Sequence, residues 1–244
     1  LAQYNRNFGD LSLVVNGGAN IRRNFYDRLE QRTQGGLSVP DFYNIEASID
    51  RPTVTNFKSR KNVRSVYGSA SLGYQNTIYL DMTLRNDWSS SLPIANNSYL
   101  YPSISTSFVF TELMENTNFL SFGKVRLSYA QVGSDIDPYD IARVYSVGTP
   151  YGSTPTLTVP NAFPNPELRP ALASSYEAGV DLRFLQGKLR VDATYYRNDN
   201  RDQIINLDVP GSSGYTSAII NAGLIRSEGV ELMISGTPIE RPNF

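Results

Sequence analysis

From Tyr176 the chain reads Tyr-Glu-Ala-Gly-Val-Asp-Leu-Arg-Phe, and this strict alternation constrains the fold more than any other feature. Side chains along a strand point to opposite faces with period two. Tyr176, Ala178, Val180, Leu182 and Phe184 therefore share one face, and Glu177, Gly179, Asp181 and Arg183 share the other. A slip of one residue would carry Glu177, Asp181 and Arg183 to the apolar side. If that side is lipid, the arginine alone costs roughly 2–4 kcal/mol near the midplane, so the register is firmly set. After a short Gln186-Gly187-Lys188 turn, Leu189, Val191, Ala193 and Tyr195 alternate with Arg190, Asp192, Thr194 and Tyr196. Beyond a Gly-Ser-rich loop at 210–215, Val230, Leu232 and Ile234 alternate with Glu231, Met233 and Ser235, and the stretch closes near Ile239. Long two-faced strands, with a short turn at one end and a longer loop at the other, predict an all-β antiparallel transmembrane β-barrel segment.

The upstream chain repeats the theme. Leu11, Leu13, Val15, Gly17, Ala19 and Ile21 predict a strand over about 9–23. Residues 24–56 mix charge with Gly35-Gly36, Pro40 and Pro52 and predict a long loop. A return strand over 63–74 places Val66, Gly68, Ala70, Leu72 and Tyr74 on one face, and Gln75-Asn76 makes the next turn. Ile78, Leu80, Met82 and Leu84 then alternate with Tyr79, Asp81, Thr83 and Arg85. Ile104, Thr106, Phe108 and Phe110 lead back, residues 112–122 suit a helical turn, and Val125, Leu127 and Tyr129 mark another strand. The longest loop covers 133–173. The pattern gives about eight strands, each near the ~9–11 residues that a tilted spanning strand requires. Loop lengths alternate short and long, as expected for short periplasmic turns and long extracellular loops.

Composition narrows the function. Among 244 residues there is no Cys and no His, and the formal net charge is −1. Thiolate metal sites, cysteine nucleophiles and histidine bases are excluded, and near-neutral charge gives no footprint for nucleic acid. A mean hydropathy of −0.32 does not exclude a barrel, whose lipid face occupies alternate residues.

Several runs resemble the barrel of SusC/RagA-type TonB-dependent transporters. They are Asn165-Pro166-Glu167-Leu168-Arg169-Pro170, Ser175-Tyr176-Glu177-Ala178-Gly179-Val180-Asp181, Asp192-Ala193-Thr194-Tyr195-Tyr196, Asn221-Ala222-Gly223 and Ser227-Glu228-Gly229-Val230-Glu231-Leu232. Leu84-Arg85-Asn86-Asp87-Trp88-Ser89-Ser90 and Lys124-Val125-Arg126-Leu127-Ser128-Tyr129-Ala130-Gln131-Val132-Gly133 are similar to the same family. Ala171 departs from it, standing where the pattern usually has an acid. The resemblance implies that 1–244 is an interior slice of a 22-stranded barrel, without the plug domain, TonB box and barrel C-terminus. Leu1 and the Arg241-Pro242-Asn243-Phe244 end fit such a slice. It also implies import of glycans or peptides across the outer membrane, with a SusD-like surface lipoprotein as lid and the TonB complex as energy source. No cofactor is implied.

Candidate sites follow. Tyr139, Tyr145, Tyr151 and Phe163 in the longest loop offer flat area for cargo or for the lid, against packing within the loop. Trp88, Tyr99 and Tyr101 flank a strand top and suggest an interfacial girdle. Asp81, Arg85, Glu177, Asp181, Arg183, Arg190, Asp192 and Glu231 are expected on the lumen wall, facing a plug. Asp135, Asp137 and Asp140 lack the Gly and closing Glu of a calcium loop and read as a solvated acidic turn, so no metal site is expected. Glu177 and Asp181 lie ~13 Å apart at strand rise, too far for a glycosidase pair, and no catalytic residue is expected. Two other readings compete: a small autonomous barrel for adhesion or anchoring, against which the two ends of the chain argue, and a soluble all-β binding protein with the Ile78–Leu84 face as its core.

Overall fold

The computed structural model describes residues 1–115, 117–142, 144–148 and 150–237. Ile239 and the terminal Arg241-Pro242-Asn243-Phe244 lie outside the described residues. Twelve strands follow in order: β1 (Ala2–Phe8), β2 (Leu11–Leu37), β3 (Ser48–Tyr74), β4 (Ile78–Ser89), β5 (Ser98–Val109), β6 (Leu120–Ser134), β7 (Ser146–Val147), β8 (Leu157–Thr158), β9 (Ala162–Phe163), β10 (Ala171–Phe184), β11 (Leu189–Asp208) and β12 (Ser217–Gly236). Ten of them form one sheet in the order β1-β2-β3-β4-β5-β6-β10-β11-β12-β9, and β7 pairs with β8. The sheet is an antiparallel meander except for β9, which lies parallel to β12 at Ser217 and Ala218. Among the described residues its first and last strands do not pair, so the sheet is open.

The meander is longer than the alternation predicts, with nine antiparallel strands against about eight. The largest correction concerns 24–56. Instead of a loop, β2 and β3 pair from Leu11↔Tyr74 to Arg32↔Thr53 and then irregularly to Leu37↔Ser48. Only 38–47 is a connection. At strand rise a 27-residue strand is about 90 Å long, far beyond the ~9–11 residues that cross a bilayer. The upper hairpin is wet on both sides, so its pairing leaves no apolar stripe to read. In the same way β11 and β12 pair up to Asp208↔Ser217, well past the alternating segment, and 209–216 is the true loop.

Short connections gather at one end of the sheet. At 75–76 both Gln75 and Asn76 have positive φ, and Thr77 N–H donates to the Tyr74 carbonyl at 2.9 Å, the primed-turn geometry whose twist suits a hairpin. Leu185, Gln186 and Gly187 turn β10 into β11 with φ of 52°, 58° and 87°. The β5–β6 connection holds a 3₁₀ turn at Phe110–Leu113, close to where a helical turn is expected. The opposite end carries 38–47, 90–97, 135–170 and 209–216.

The two faces differ as the alternation requires. Val230, Leu232 and Ile234 are 72%, 63% and 64% exposed, and Leu84 and Leu127 are also exposed. Among the described residues no layer covers this apolar face. The hydrophobic cluster of the described residues lies on the polar face instead, at the long-loop end. There Leu92, Tyr99, Ile136, Leu168 and Ile219 form a buried cluster, with Tyr101, Ile141 and Ile204 against it.

Candidate functional site on the polar wall

Register places a continuous row of side chains across the polar face: Ser71, Asp81, Ser105, Ser128, Glu177, Tyr196 and Gly229 are successive cross-strand partners. The wall has two characters. Over β3–β5 it is rich in hydroxyls, with Ser69 opposite Thr83 and Thr83 opposite Ser103 at 2.7 Å between oxygens. Over β6–β11 it is ionic. Arg126 grips Asp192 through both Nη atoms at 3.2 and 2.7 Å. Arg190 grips Asp181 through Nε and Nη2 at 3.1 and 3.0 Å, and Arg183 reaches Asp181 at 3.6 Å. Asp181 is almost wholly buried beneath these guanidinium groups.

The Arg126–Asp192 pair spans two strands. Between β6 and β11 lies Gly179 of β10, and a Cβ there would stand 2.6 Å from Arg126 Nε. Glycine leaves room for this close approach, and a side chain there would push the guanidinium aside. The same device sets Tyr196 over Gly229, where a Cβ would lie 2.8 Å from the phenol oxygen.

Of the eight charged residues expected on this wall, the structure gathers Asp181, Arg183, Arg190 and Asp192. Glu177 meets Ser128 at 3.4 Å. Arg85 lies apart, donating from Nε to Asp87 at 2.8 Å and from Nη2 to Ser65 at 2.9 Å. Asp81 sits between Ser71 and Ser105, and Glu231 is exposed opposite Thr194. The central cation, Arg126, was not among the eight. Its signal was the alternation of Lys124, Arg126 and Ser128 against Val125 and Leu127.

At the long-loop end, the return segment of the loop is fastened to the wall. Leu168 is fully buried in the cluster. Asn165 Oδ1 accepts from Glu167 N–H at 2.9 Å, shaping the turn. Asn221 Oδ1 accepts from Arg169 N–H at 2.8 Å, while its Nδ2 donates to the Arg169 carbonyl at 2.7 Å and to the Asp202 carbonyl at 2.9 Å. Asn96 Nδ2 donates to the Glu167 and Leu168 carbonyls. The two motifs around Leu168 and Asn221 are therefore halves of one clamp.

Two expectations fail here. Tyr99 and Tyr101 are not a girdle: they occupy the polar phase, stack on each other with centroids 5.9 Å apart, and Tyr99 is buried in the cluster. Tyr101 donates its hydroxyl to Asp87 at 2.7 Å. Trp88 does lie on the apolar phase, 38% exposed. Asp135 is not solvated: it accepts from Lys61 Nζ at 2.6 Å, from Ser91 at 3.2 Å and from Ser89. Asp137 and Asp140 are exposed, as expected of an acidic turn. They edge a groove of about 570 Å³ with Tyr26, Phe57, Ser59 and Lys61. Although its side chain reaches solvent, desolvation at the edge of the groove, with Asp137 adding repulsion, raises the pKa of Asp140 above the ordinary carboxylate value against the pull of Lys61.

The four loop aromatics go to different neighbours. Tyr139 Oη accepts from Arg60 N–H at 3.3 Å, Phe163 meets Tyr215 edge-on at 5.1 Å, and Tyr145 and Tyr151 are exposed.

Comparison with known proteins completes the description. The model of the family "TonB dependent receptor-like, beta-barrel" matches residues 2–239. TonB-dependent receptor P26 of Formosa agariphila is 24% identical over 250 residues, covering 99% of this chain and 25% of the relative. TonB-dependent receptor SusC of Bacteroides thetaiotaomicron is 24% identical over 201 residues, covering 78% of this chain and 20% of its own length. The chain thus spans about a quarter or less of the curated relatives it matches. The structure of the RagAB peptide transporter superposes with a TM-score of 0.84 at 20% identity, over 99% of this chain and 27% of that one. With its two-faced meander and a family match over nearly all its residues, the chain belongs to the TonB-dependent receptor-like β-barrel family of outer-membrane proteins.

Proposed function

We propose that these residues form part of the wall of a TonB-dependent transporter importing oligosaccharides or peptides. In this reading 1–244 lies within a 22-stranded barrel, and the plug, TonB box and remaining strands belong to other parts of the protein. The short turns face the periplasm, the long loops face outward, and the polar wall faces the lumen. A SusD-like lipoprotein lids the long-loop end, and the TonB complex supplies the energy through the plug. The observation that carries the reading is the apolar face: it is uncovered across the meander, opposite a wall of hydroxyls and closed ion pairs. Such a sheet suits lipid on one side and a hydrated passage on the other. The match to SusC and the likeness to a peptide transporter support nutrient uptake.

The test uses the full-length protein in outer membranes. Leu80→Arg, on the apolar face, should cost about 2–4 kcal/mol and reduce the heat-resistant assembled barrel. Thr83→Arg, on the polar face, should assemble and alter uptake of labelled oligosaccharides or peptides. The reverse pattern would overturn the assignment of faces. Uptake independent of TonB, with no lipoprotein co-purifying, would overturn the transport reading.

A further inference from the structure

We propose that the apolar-phase face of β11 and β12 carries a site for the phosphate-bearing headgroup of a membrane lipid. The inference rests on that face meeting the bilayer. On β11 the phase of Val191, Ala193 and Tyr195 continues into Arg197, Asp199 and Arg201, and on β12 the phase of Ile234, Leu232 and Val230 continues into Glu228 and Arg226. Leu189 to Arg197 and Ile234 to Arg226 each count about nine residues, the length of a spanning strand. Tyr176, paired with Tyr129 at 5.1 Å between centroids, stands directly opposite Arg197, and Tyr195 lies one step below, where an interfacial girdle belongs. The arginines therefore stand where the apolar band ends.

Three guanidinium groups converge on one carboxylate. Arg226 donates to Asp199 from Nε at 2.7 Å and from Nη2 at 3.2 Å, and Arg197 does so at 3.2 and 2.8 Å. Arg201 reaches it at 3.6 Å. Asp199 is fully buried, whereas the arginine side chains are 35%, 43% and 58% exposed for Arg197, Arg226 and Arg201. The other acid on this face, Glu228, accepts from the Tyr195 hydroxyl at 3.4 Å. Three cations face two anions, and Asp199 takes two N–H groups from each of its two nearest partners. A guanidinium carries five, so the outward edges of Arg197 and Arg226 keep donors in a fixed fork. A phosphate monoester, with several acceptor oxygens and charge of the opposite sign, matches that fork. The apolar phase, facing away from the polar wall, argues for a lipid over cargo.

The experiment titrates the full-length transporter in mild detergent with phosphate-bearing lipid A and with the same lipid A dephosphorylated, followed by native mass spectrometry. The intact protein should prefer the phosphorylated lipid. Arg201→Gln, which leaves the Asp199 clamp in place, should weaken that preference about five-fold, from ~1 kcal/mol per interfacial cation. The combined Arg197→Gln, Asp199→Asn and Arg226→Gln variant removes the cations without stranding the acid, and should abolish the preference. Equal binding of both lipids by the intact protein, or an unchanged preference in the combined variant, would overturn the proposal. Displacement by millimolar inorganic phosphate would make the ligand a soluble anion and overturn the lipid assignment. Heat-resistant migration of each variant separates loss of the site from loss of the barrel, and a protein absent from the outer membrane would overturn the reading beneath it.

Discussion

Two structures rise from the same end of the sheet and are held in opposite ways. The β2–β3 hairpin extends outward as paired backbone, with exposed side chains such as Phe25, Leu29 and Val54 along its upper half. The 135–170 loop has only short strand pairs of its own, yet it is folded back and fixed through Leu168, Ile136 and the Asn221 clamp. One is rigid by pairing and indifferent to its side chains. The other depends on a few of them. Order at the long-loop end thus comes from two independent sources, and substitutions should separate them.

The largest effect is expected at Leu168. Leu168→Ala leaves a cavity in the only cluster packed on the polar face among the described residues, at about 2–5 kcal/mol. Amides across 135–170 should exchange with deuterium markedly faster, while those of the β2–β3 hairpin stay unchanged. Equal acceleration in both would mean that the two regions are one cooperative unit. Next comes Lys61→Met, which strands Asp135 in a largely buried site, at about 3 kcal/mol. Because Lys61 belongs to the hairpin strand and Asp135 to the loop, this change should free the loop start and leave β3 paired. Asn221→Ala removes bonds to both polar groups of Arg169, costing about 1–3 kcal/mol, and should open the loop's return segment to limited proteolysis. The smallest effect is expected at Val54→Thr, exposed on the hairpin, within about 0.5 kcal/mol and silent in both assays.

The same contrast explains what the sequence disclosed. Segments such as Ile78 to Arg85 and Tyr176 to Phe184 were legible because two solvents select alternate residues there. Above them, the strand at Asn24, Tyr26 and Arg28 meets water on both sides, so period two carries no hydrophobic mark and a paired strand reads as a loop. Tyr99 and Tyr101 misled for the opposite reason. Aromatic composition suggested an interface, but their phase, shared with Ser103 and Ser105, puts them on the polar side beneath the loop. The ion cluster around Asp181 was half visible. Its members could be assigned to a face, but Arg126 joins them only because Gly179 lets it cross a strand, and that passage is a property of register. The clamp at Asn221 joins motifs 52 residues apart, and no local pattern announces it.

The Arg126–Gly179 crossing also sets an order on how this wall can change through descent. A side chain at position 179 would push the guanidinium from its present path and disturb its bidentate grip on Asp192, so glycine is favoured at 179 while Arg126 stays. If β6 first exchanges Arg126 for a short residue, position 179 becomes open, and the way back closes once it is filled. Two residues on neighbouring strands thus behave as one inherited character with a preferred sequence of steps. Lineages that lost the arginine should show the glycine lost after it, not before.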